Sequence, residues 1–239
     1  MKKTQIIAVI PAAGVGARMQ ADIPKQYLML QNKTILEHTV EKLLNQPEVD
    51  HIVIAISDGD AYYADLAIAN HPRVHVASGG KERADSVLSA LNTILNSPNY
   101  SKTEQNTWAL VHDAARPLVN NQDISLLIQT CLHNQYGGIL AAPVKDTMKQ
   151  ATTVNGSVTI NKTIDRSELW HALTPQLFPC ELLCNAIEQA MKHNIAVTDE
   201  ASAIEYIGEK VALVEGSAEN IKITRPVDLK LAAFLMQDE

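Results

Sequence analysis

Two cations stand beside a glycine loop near the start of this chain. The loop reads Pro11-Ala12-Ala13-Gly14-Val15-Gly16-Ala17-Arg18-Met19, and Pro24-Lys25-Gln26 follows it. Small residues leave the main chain bare, so successive N–H groups can cradle phosphate oxygens. Arg18 and Lys25 place fixed positive charge next to that cradle. A glycine loop alone binds phosphate, whereas one flanked by cations can also stabilise charge developing on phosphorus during transfer. Two later clusters have the same character: His112-Asp113 with Arg116, and Lys222 within Asn220-Ile221-Lys222-Ile223-Thr224. Their meeting would supply cations for non-bridging oxygens and a carboxylate, Asp113, for Mg²⁺ or a ribose hydroxyl. That chemistry is phosphoryl or nucleotidyl transfer.

Similar loops serve other ligands, and this one departs from them. A dinucleotide fingerprint needs a third Gly where the chain has Met19. It also wants an acidic residue at the end of a second strand about twenty residues on, which is missing. A Walker A loop continues Gly-Lys-Ser/Thr, but Gly16 is followed by Ala17-Arg18.

The elements that must carry these clusters follow from periodicity. Apolar, β-branched runs predict strands at 5–11, 51–57, 73–77, 107–112, 138–144 and 211–215. Helical patterns fall at 34–46, 60–69, 82–96, 121–134, 179–193, 199–208 and 226–236. Thr34 with Glu37 fits a capping box, and Pro226 suits a first helical turn. Alternating strands and helices imply right-handed βαβ units: an α/β, Rossmann-like fold with a mainly parallel sheet flanked by helices. In such a sheet, ligands bind at the carboxyl ends of the strands. The glycine loop follows the first strand, and His112-Asp113 follows the strand at 107–112. Lys222 sits in what reads as a short alternating strand. No linker or repeat divides the chain, so one domain is expected over 1–239.

One segment breaks the alternation. Asn155-Gly156 between Val154 and Val158 signals a type I′ hairpin within a protruding β-arm at about 145–166. Each strand of the arm would run about ten residues, roughly 30 Å. A two-stranded ribbon is marginal alone in water, so it must pack on its own domain or on a partner subunit.

Composition narrows the classes. At 239 residues the chain can bury roughly 70–75% of its unfolded surface without staples. A net charge of −7 disfavours nucleic acid as a partner. The apolar run before Pro11 is too short for a signal peptide, and no later run approaches the ~20 apolar residues of a membrane span. Three cysteines, Cys131, Cys180 and Cys184, read as reduced, packed thiols, which points to a cytoplasmic protein.

The glycine loop with its Pro-Lys-Gln-Tyr continuation resembles the nucleotidyltransferase signature of sugar-nucleotide pyrophosphorylases. In detail it is similar to the 2-C-methyl-D-erythritol 4-phosphate cytidylyltransferase family of the non-mevalonate isoprenoid pathway. Further blocks carry the same resemblance in order: Gly79-Gly80-Lys81-Glu82-Arg83-Ala84-Asp85-Ser86-Val87, Val111-His112-Asp113-Ala114-Ala115-Arg116-Pro117, Ala142-Pro143-Val144-Lys145-Asp146-Thr147, Leu173-Thr174-Pro175-Gln176, Thr198-Asp199-Glu200-Ala201-Ser202 and the Lys222 segment. Ribitol-phosphate cytidylyltransferases share several of these blocks.

The resemblance implies an enzyme in which a methylerythritol phosphate oxygen attacks the α-phosphate of CTP, with Mg²⁺ as cofactor and Asp113 as its ligand. Arg18 and Lys25 would stabilise the transition state, and Gly14 and Gly16 N–H groups would hold the triphosphate. Lys222 would bridge the α-phosphate and the sugar phosphate. Ala12, Ala13, Gly80, Lys81 and Ser86 would surround cytosine, while Pro11, Asp113 and Ala114 hold the ribose. Asp113, Arg116, Thr174 and Thr198 would line the sugar pocket. Thr147 and Arg166 would bind the sugar phosphate from the arm of the other subunit of a homodimer. Lys81 departs from the pattern, because some relatives carry an acidic residue there. Blander roles stand beside these: Asp113 as a helix N-cap, His112 as a structural hydrogen-bonder, Arg83 and Asp85 as capping and pairing groups, Asp199-Glu200 as a helix N-terminus, Trp108 and Trp170 as packing. The functional alternatives are a ribitol 5-phosphate cytidylyltransferase and a catalytically silent nucleotide-binding regulator.

Overall fold

The computed structural model describes residues 4–14, 19, 21–97 and 106–237. Gly16 and Arg18, both named above, lie outside the described residues. Within them the chain runs β1 (Gln5–Pro11), β2 (Met29–Leu30), β3 (Lys33–Thr34), α1 (Ile35–Leu44), β4 (His51–Ile56), β5 (Val74–Ser78), α2 (Arg83–Asn96) and β6 (Thr107–Val111). It continues through α3 (Asn121–Asn134), β7 (Gly138–Pro143), β8 (Met148–Val154), β9 (Ser157–Ile164), β10 (Trp170–Pro179), α4 (Cys180–Lys192), α5 (Glu200–Tyr206), β11 (Ala212–Glu215) and α6 (Pro226–Leu235).

Seven strands form one sheet in the order β11-β7-β10-β6-β1-β4-β5. The strand β1 lies inside it, parallel to β4 on one side and β6 on the other. Its residues are buried on both faces. Ile6, Ala8 and Ile10 join one core layer, and Ile7 and Val9 the other. That is why β1 reads as an unbroken apolar run rather than an alternating one. The chain leaves β1 toward β4 and β5, then returns to the opposite flank at β6. The carboxyl ends of β1 and β6 therefore make the switch point where open α/β sheets bind ligands.

Thr34 caps α1 reciprocally with Glu37, a device that contributes about 1 kcal/mol, and Pro226 opens α6. Asn155 and Gly156 both have positive φ, 50° and 77°, as a type I′ turn requires. Cys131, Cys180 and Cys184 are free and buried. Burial pushes the first two thiols up to about 12 and Cys184 up to about 11, so they are inert packing groups. Trp108 is buried as a packing residue, but Trp170 is partly exposed. Among the described residues no helix is long and apolar enough to cross a membrane.

Three expectations are corrected. The helix expected at 60–69 is two short 3-10 turns, Tyr63–Asp65 and Ala67–Asn70. Asp60 takes the N–H groups of Tyr62 and Tyr63 and the Tyr27 hydroxyl, and these bonds fold the segment tightly instead. The strand β10 was not expected, and it runs antiparallel between β6 and β7. Residues 220–224 are not a strand but an irregular segment leading into α6. Ile223 packs there in a third apolar cluster with Met19, Leu30, Ile35, Ala115 and Leu118.

Candidate active site

Each side of the cleft is built by a strand ending. After β1 the chain is pinned at three points. Ala12 N–H donates to the Ala55 carbonyl at 2.8 Å. The buried Gln26 amide donates to the Ala12 carbonyl at 2.6 Å, and the Ser57 hydroxyl donates to Ala13 O at 2.9 Å. The loop after β5 presses against it. A Cβ added at Gly79 would lie 2.2 Å from the Ala13 Cβ, and one at Gly80 would lie 2.1 Å from the Asp85 Cβ. Gly80 N–H donates to Ser86 Oγ at 3.0 Å. Both glycines are therefore demanded by close approach. Gly80→Ala should destabilise the fold by about 1–3 kcal/mol through this overpacking. Thermal unfolding tests this; an unchanged Tm would contradict the close fit.

Opposite these loops, Asp113 is a hub for three cations. Its Oδ1 accepts from Arg83 Nε at 2.9 Å, and its Oδ2 lies 2.7 Å from Lys222 Nζ and 3.5 Å from Arg116 Nε. Burial alone would raise this carboxyl. Arg83, then Lys222 and Arg116, outweigh burial and hold it well below the usual carboxylate range. Arg83 also grips Glu200, with Nη1–Oε1 at 2.6 Å and Nη2–Oε2 at 3.0 Å. Burial opposes the Arg83 charge, but Glu200 and Asp113 prevail and raise its pKa. Lys25 rides on the 3-10 turn Lys25–Tyr27, and its Nζ donates to Ile223 O at 3.2 Å.

His112 orients this hub. Its Nε2 faces the Arg116 carbonyl at 3.0 Å and its Nδ1 faces Thr174 Oγ1 at 2.9 Å. A carbonyl only accepts, so Nε2 carries the proton and Thr174 donates to Nδ1. The Thr174 oxygen then accepts Asp113 N–H at 3.1 Å. Burial lowers the His112 pKa to about 4, which keeps the ring neutral at physiological pH. Its structural role is thus as expected. Asp113 is not a helix N-cap; it sits in an irregular segment before α3, whose cap is Asn120. Asp199 does cap α5, through Ser202 N–H.

Two clefts meet at this hub. The first, about 300 Å³, is lined by Pro11, Ala12, Ala13, Gly14, Lys25 and Gln26 on one side. Gly80, Lys81, Glu82, Ser86, Ala114 and Ala115 line the other. The second, about 280 Å³, is lined by Arg116, Thr174 and Thr198 with Leu173, Gln176 and Asp199. Arg83, Asp113 and Lys222 belong to both. Thr147 and Arg166 stand exposed at the base of the β8–β9 arm and line neither cleft. Gln26, Arg83, Glu82 and Glu200 were not named as site residues. Arg83 and Glu200 lie far apart in sequence, and each reads locally as a helix-start residue.

Mg²⁺ does not fit Asp113 well. Both carboxylate oxygens already face cationic side chains. Among the described residues no cluster of three or more His, Cys, Asp or Glu could hold a metal ion. A divalent cation here would have to rest chiefly on phosphate oxygens of the nucleotide, as Mg²⁺ commonly does.

Glycine-edged loops at a switch point accept phosphates, and a hub of three cations around one carboxylate can hold two phosphate-bearing groups side by side. Fold and cleft together define an α/β nucleotidyltransferase. Comparison with known proteins gives the particular family. Residues 6–238 match the family profile of IspD, 2-C-methyl-D-erythritol 4-phosphate cytidylyltransferase. The chain is 54% identical over 236 residues to the 2-C-methyl-D-erythritol 4-phosphate cytidylyltransferase of Vibrio vulnificus (strain YJ016), covering 99% of this chain and 96% of the relative. It is 53% identical over 229 residues to the Vibrio cholerae protein of the same name, covering 96% and 95%. The crystal structure of a 4-diphosphocytidyl-2C-methyl-D-erythritol synthase superposes with a TM-score of 0.82 at 36% identity, over 99% of this chain and 100% of that one. The Francisella tularensis cytidylyltransferase superposes with a TM-score of 0.79 at 37% identity, over 97% and 99%. The chain belongs to the 2-C-methyl-D-erythritol 4-phosphate cytidylyltransferase family.

Proposed function

We infer that each reacting group has its own cleft. The enzyme transfers CMP from CTP to 2-C-methyl-D-erythritol 4-phosphate, giving 4-diphosphocytidyl-2-C-methyl-D-erythritol and pyrophosphate, a step of isoprenoid biosynthesis by the non-mevalonate pathway. The observation that carries the division is the hub of Arg83, Asp113 and Lys222, common to both clefts. CTP takes the glycine-edged cleft, its cytosine against Ala12, Ala13, Gly80 and Ser86 and its ribose near Pro11 and Asp113. The polyol takes the cleft of Arg116, Thr174 and Thr198. An oxygen of its phosphate then attacks the α-phosphorus of CTP, the bond from that phosphorus to the bridging oxygen of the β-phosphate breaks, and pyrophosphate leaves. No general base is required, because a phosphate monoester is already anionic at neutral pH. Lys222 bridges the two phosphates. Lys25 and Arg18 neutralise the charge that accumulates as the two groups close on each other. Mg²⁺ would accompany the triphosphate.

The arm belongs to a partner subunit in this reading. All of β8 is exposed, and so is β9 apart from Ile164, including Val154, Val158 and Ile160. Such a ribbon gains little from its own chain. Thr147 and Arg166 at its base would reach the polyol phosphate in the other subunit of a homodimer. Three buried free thiols favour a reducing compartment, the cytoplasm.

Pyrophosphate release with CTP and methylerythritol phosphate is the direct test. Ribitol 5-phosphate in its place decides the acceptor, and nucleotide binding without turnover would mark a silent regulator. CTP should exceed ATP and GTP in kcat/KM by at least ~10²-fold, since groups placed for one base edge stay unpaired with another. Equal kcat/KM for CTP and ATP would overturn the assignment of the base pocket.

A further inference from the structure

We infer that Asn220 is a positioning residue that holds Lys222 and Thr174 in register across the polyol cleft, and this rests on the part proposed for Lys222 above. Lys222 lies on an irregular segment between β11 and α6 with no strand ladder to fix it. The flanking residues do that work. On one side Ile223 is buried in the core, and its N–H donates to Ala115 O at 2.9 Å. On the other side Asn220 is 1% exposed, an unusual position for a loop amide unless it is bonded.

Its bonds reach both sides of the cleft. Asn220 Nδ2 donates to the Thr174 carbonyl at 2.7 Å. The Asn220 carbonyl accepts from Arg116 Nη1 at 2.5 Å. Thr174 needs such a donor, because β10 slips register against β7 between Ala172 and Gln176. Since a carbonyl can only accept, the amide orientation of Asn220 is settled by this contact. Thr174 is thus held at its hydroxyl by His112 and at its carbonyl by Asn220, while Arg116 is held at its carbonyl by His112 and at its guanidinium by Asn220. An aspartate at this position would have the same shape but would turn an acceptor toward an acceptor. Shape alone therefore does not satisfy the site.

Asn220→Ala and Asn220→Asp should each lower kcat/KM for methylerythritol phosphate on the order of 10–10²-fold, the scale of small misplacements of reacting groups. KM for CTP should move less than KM for methylerythritol phosphate, because Lys222 borders both clefts whereas Thr174 and Arg116 line only the second. Adding Asn220→Ala to Lys222→Ala should cost less than Asn220→Ala does alone, since residues that act through one another are not additive. A lowered Tm with kcat and both KM values unmoved would mean a merely structural residue and would overturn the inference. So would full multiplication of the two losses. Hydrogen exchange gives a reading that needs no substrate: a peptide spanning 217–224 should exchange faster in Asn220→Ala than in wild type, and equal protection would overturn the inference. Wild-type enzyme that failed to turn over methylerythritol phosphate would overturn the functional assignment instead, and the exchange rates would still decide whether Asn220 holds the segment.

Discussion

Lys25→Ala should lower kcat on the order of 10²–10³-fold, the usual cost of removing one preorganised charge donor from a transition state. The expectation comes from where the turn Lys25–Tyr27 holds this side chain. It lines the glycine-edged cleft and reaches the carbonyl of Ile223, next in sequence to Lys222. A flexible cation on the surface would lose little by truncation. One tied to the segment that presents Lys222 would place its charge at the proposed meeting point of the two phosphates. The fold should survive, because the buried part of this turn is Gln26 and Tyr27, not Lys25. The loss should therefore lie in kcat at saturating CTP and methylerythritol phosphate, with Tm close to wild type. A variant of normal kcat would remove Lys25 from the reaction and leave it as a tether for the Ile223 segment.

How much of this was legible in the sequence depends on the distance over which each feature is determined. The strand β1 and the helices α1 and α3 were readable from local pattern, because burial on one stripe or on both faces imposes it directly. The hairpin was readable from Asn155-Gly156, since few residue pairs accept positive φ twice. The strand β10 was not. Pro175, Gln176 and Pro179 interrupt its apolar run, and its pairing is set by β6 and β7 far away in the chain. The segment 60–69 has helical periodicity, but the Asp60 carboxylate draws the next N–H groups into a tight turn. Such local competition by Asp is invisible to periodicity.

The candidate site divides in the same way. The glycine loop, Lys25, Asp113, Arg116 and Lys222 were readable because charge beside bare backbone is uncommon without a ligand. The structure brings them together, except for Gly16 and Arg18, which lie outside the described residues. Arg83 was readable only as a helix-start residue. Its partners Asp113 and Glu200 come from two other elements, and three-body pairing of this kind leaves no local pattern. Met19 shows the converse. It argued against a dinucleotide fingerprint, and the fold gives it a positive role as a buried member of the cluster that seats Ile223.

The arm yields the second large effect. Thr147 and Arg166 are exposed and line neither cleft of their own chain, as expected if they serve the site of a partner. In a two-fold dimer with reaching arms, each site would combine Lys25 of one chain with Arg166 of the other. Lys25→Ala and Arg166→Ala homodimers should then both be nearly inactive. Unfolding the two together and refolding them gives about half mixed dimers by random pairing in a closed assembly. In a mixed dimer one site collects both lesions and the other collects neither. Activity should return to roughly a quarter of wild type, because half the dimers each regain one of two sites. If Arg166 served the site of its own chain, every site in the mixture would keep one lesion and mixing would restore nothing. Sedimentation showing that dimers re-form without recovered pyrophosphate release would therefore exclude the crossed arm, whereas recovery can arise only if one chain completes the cleft of the other.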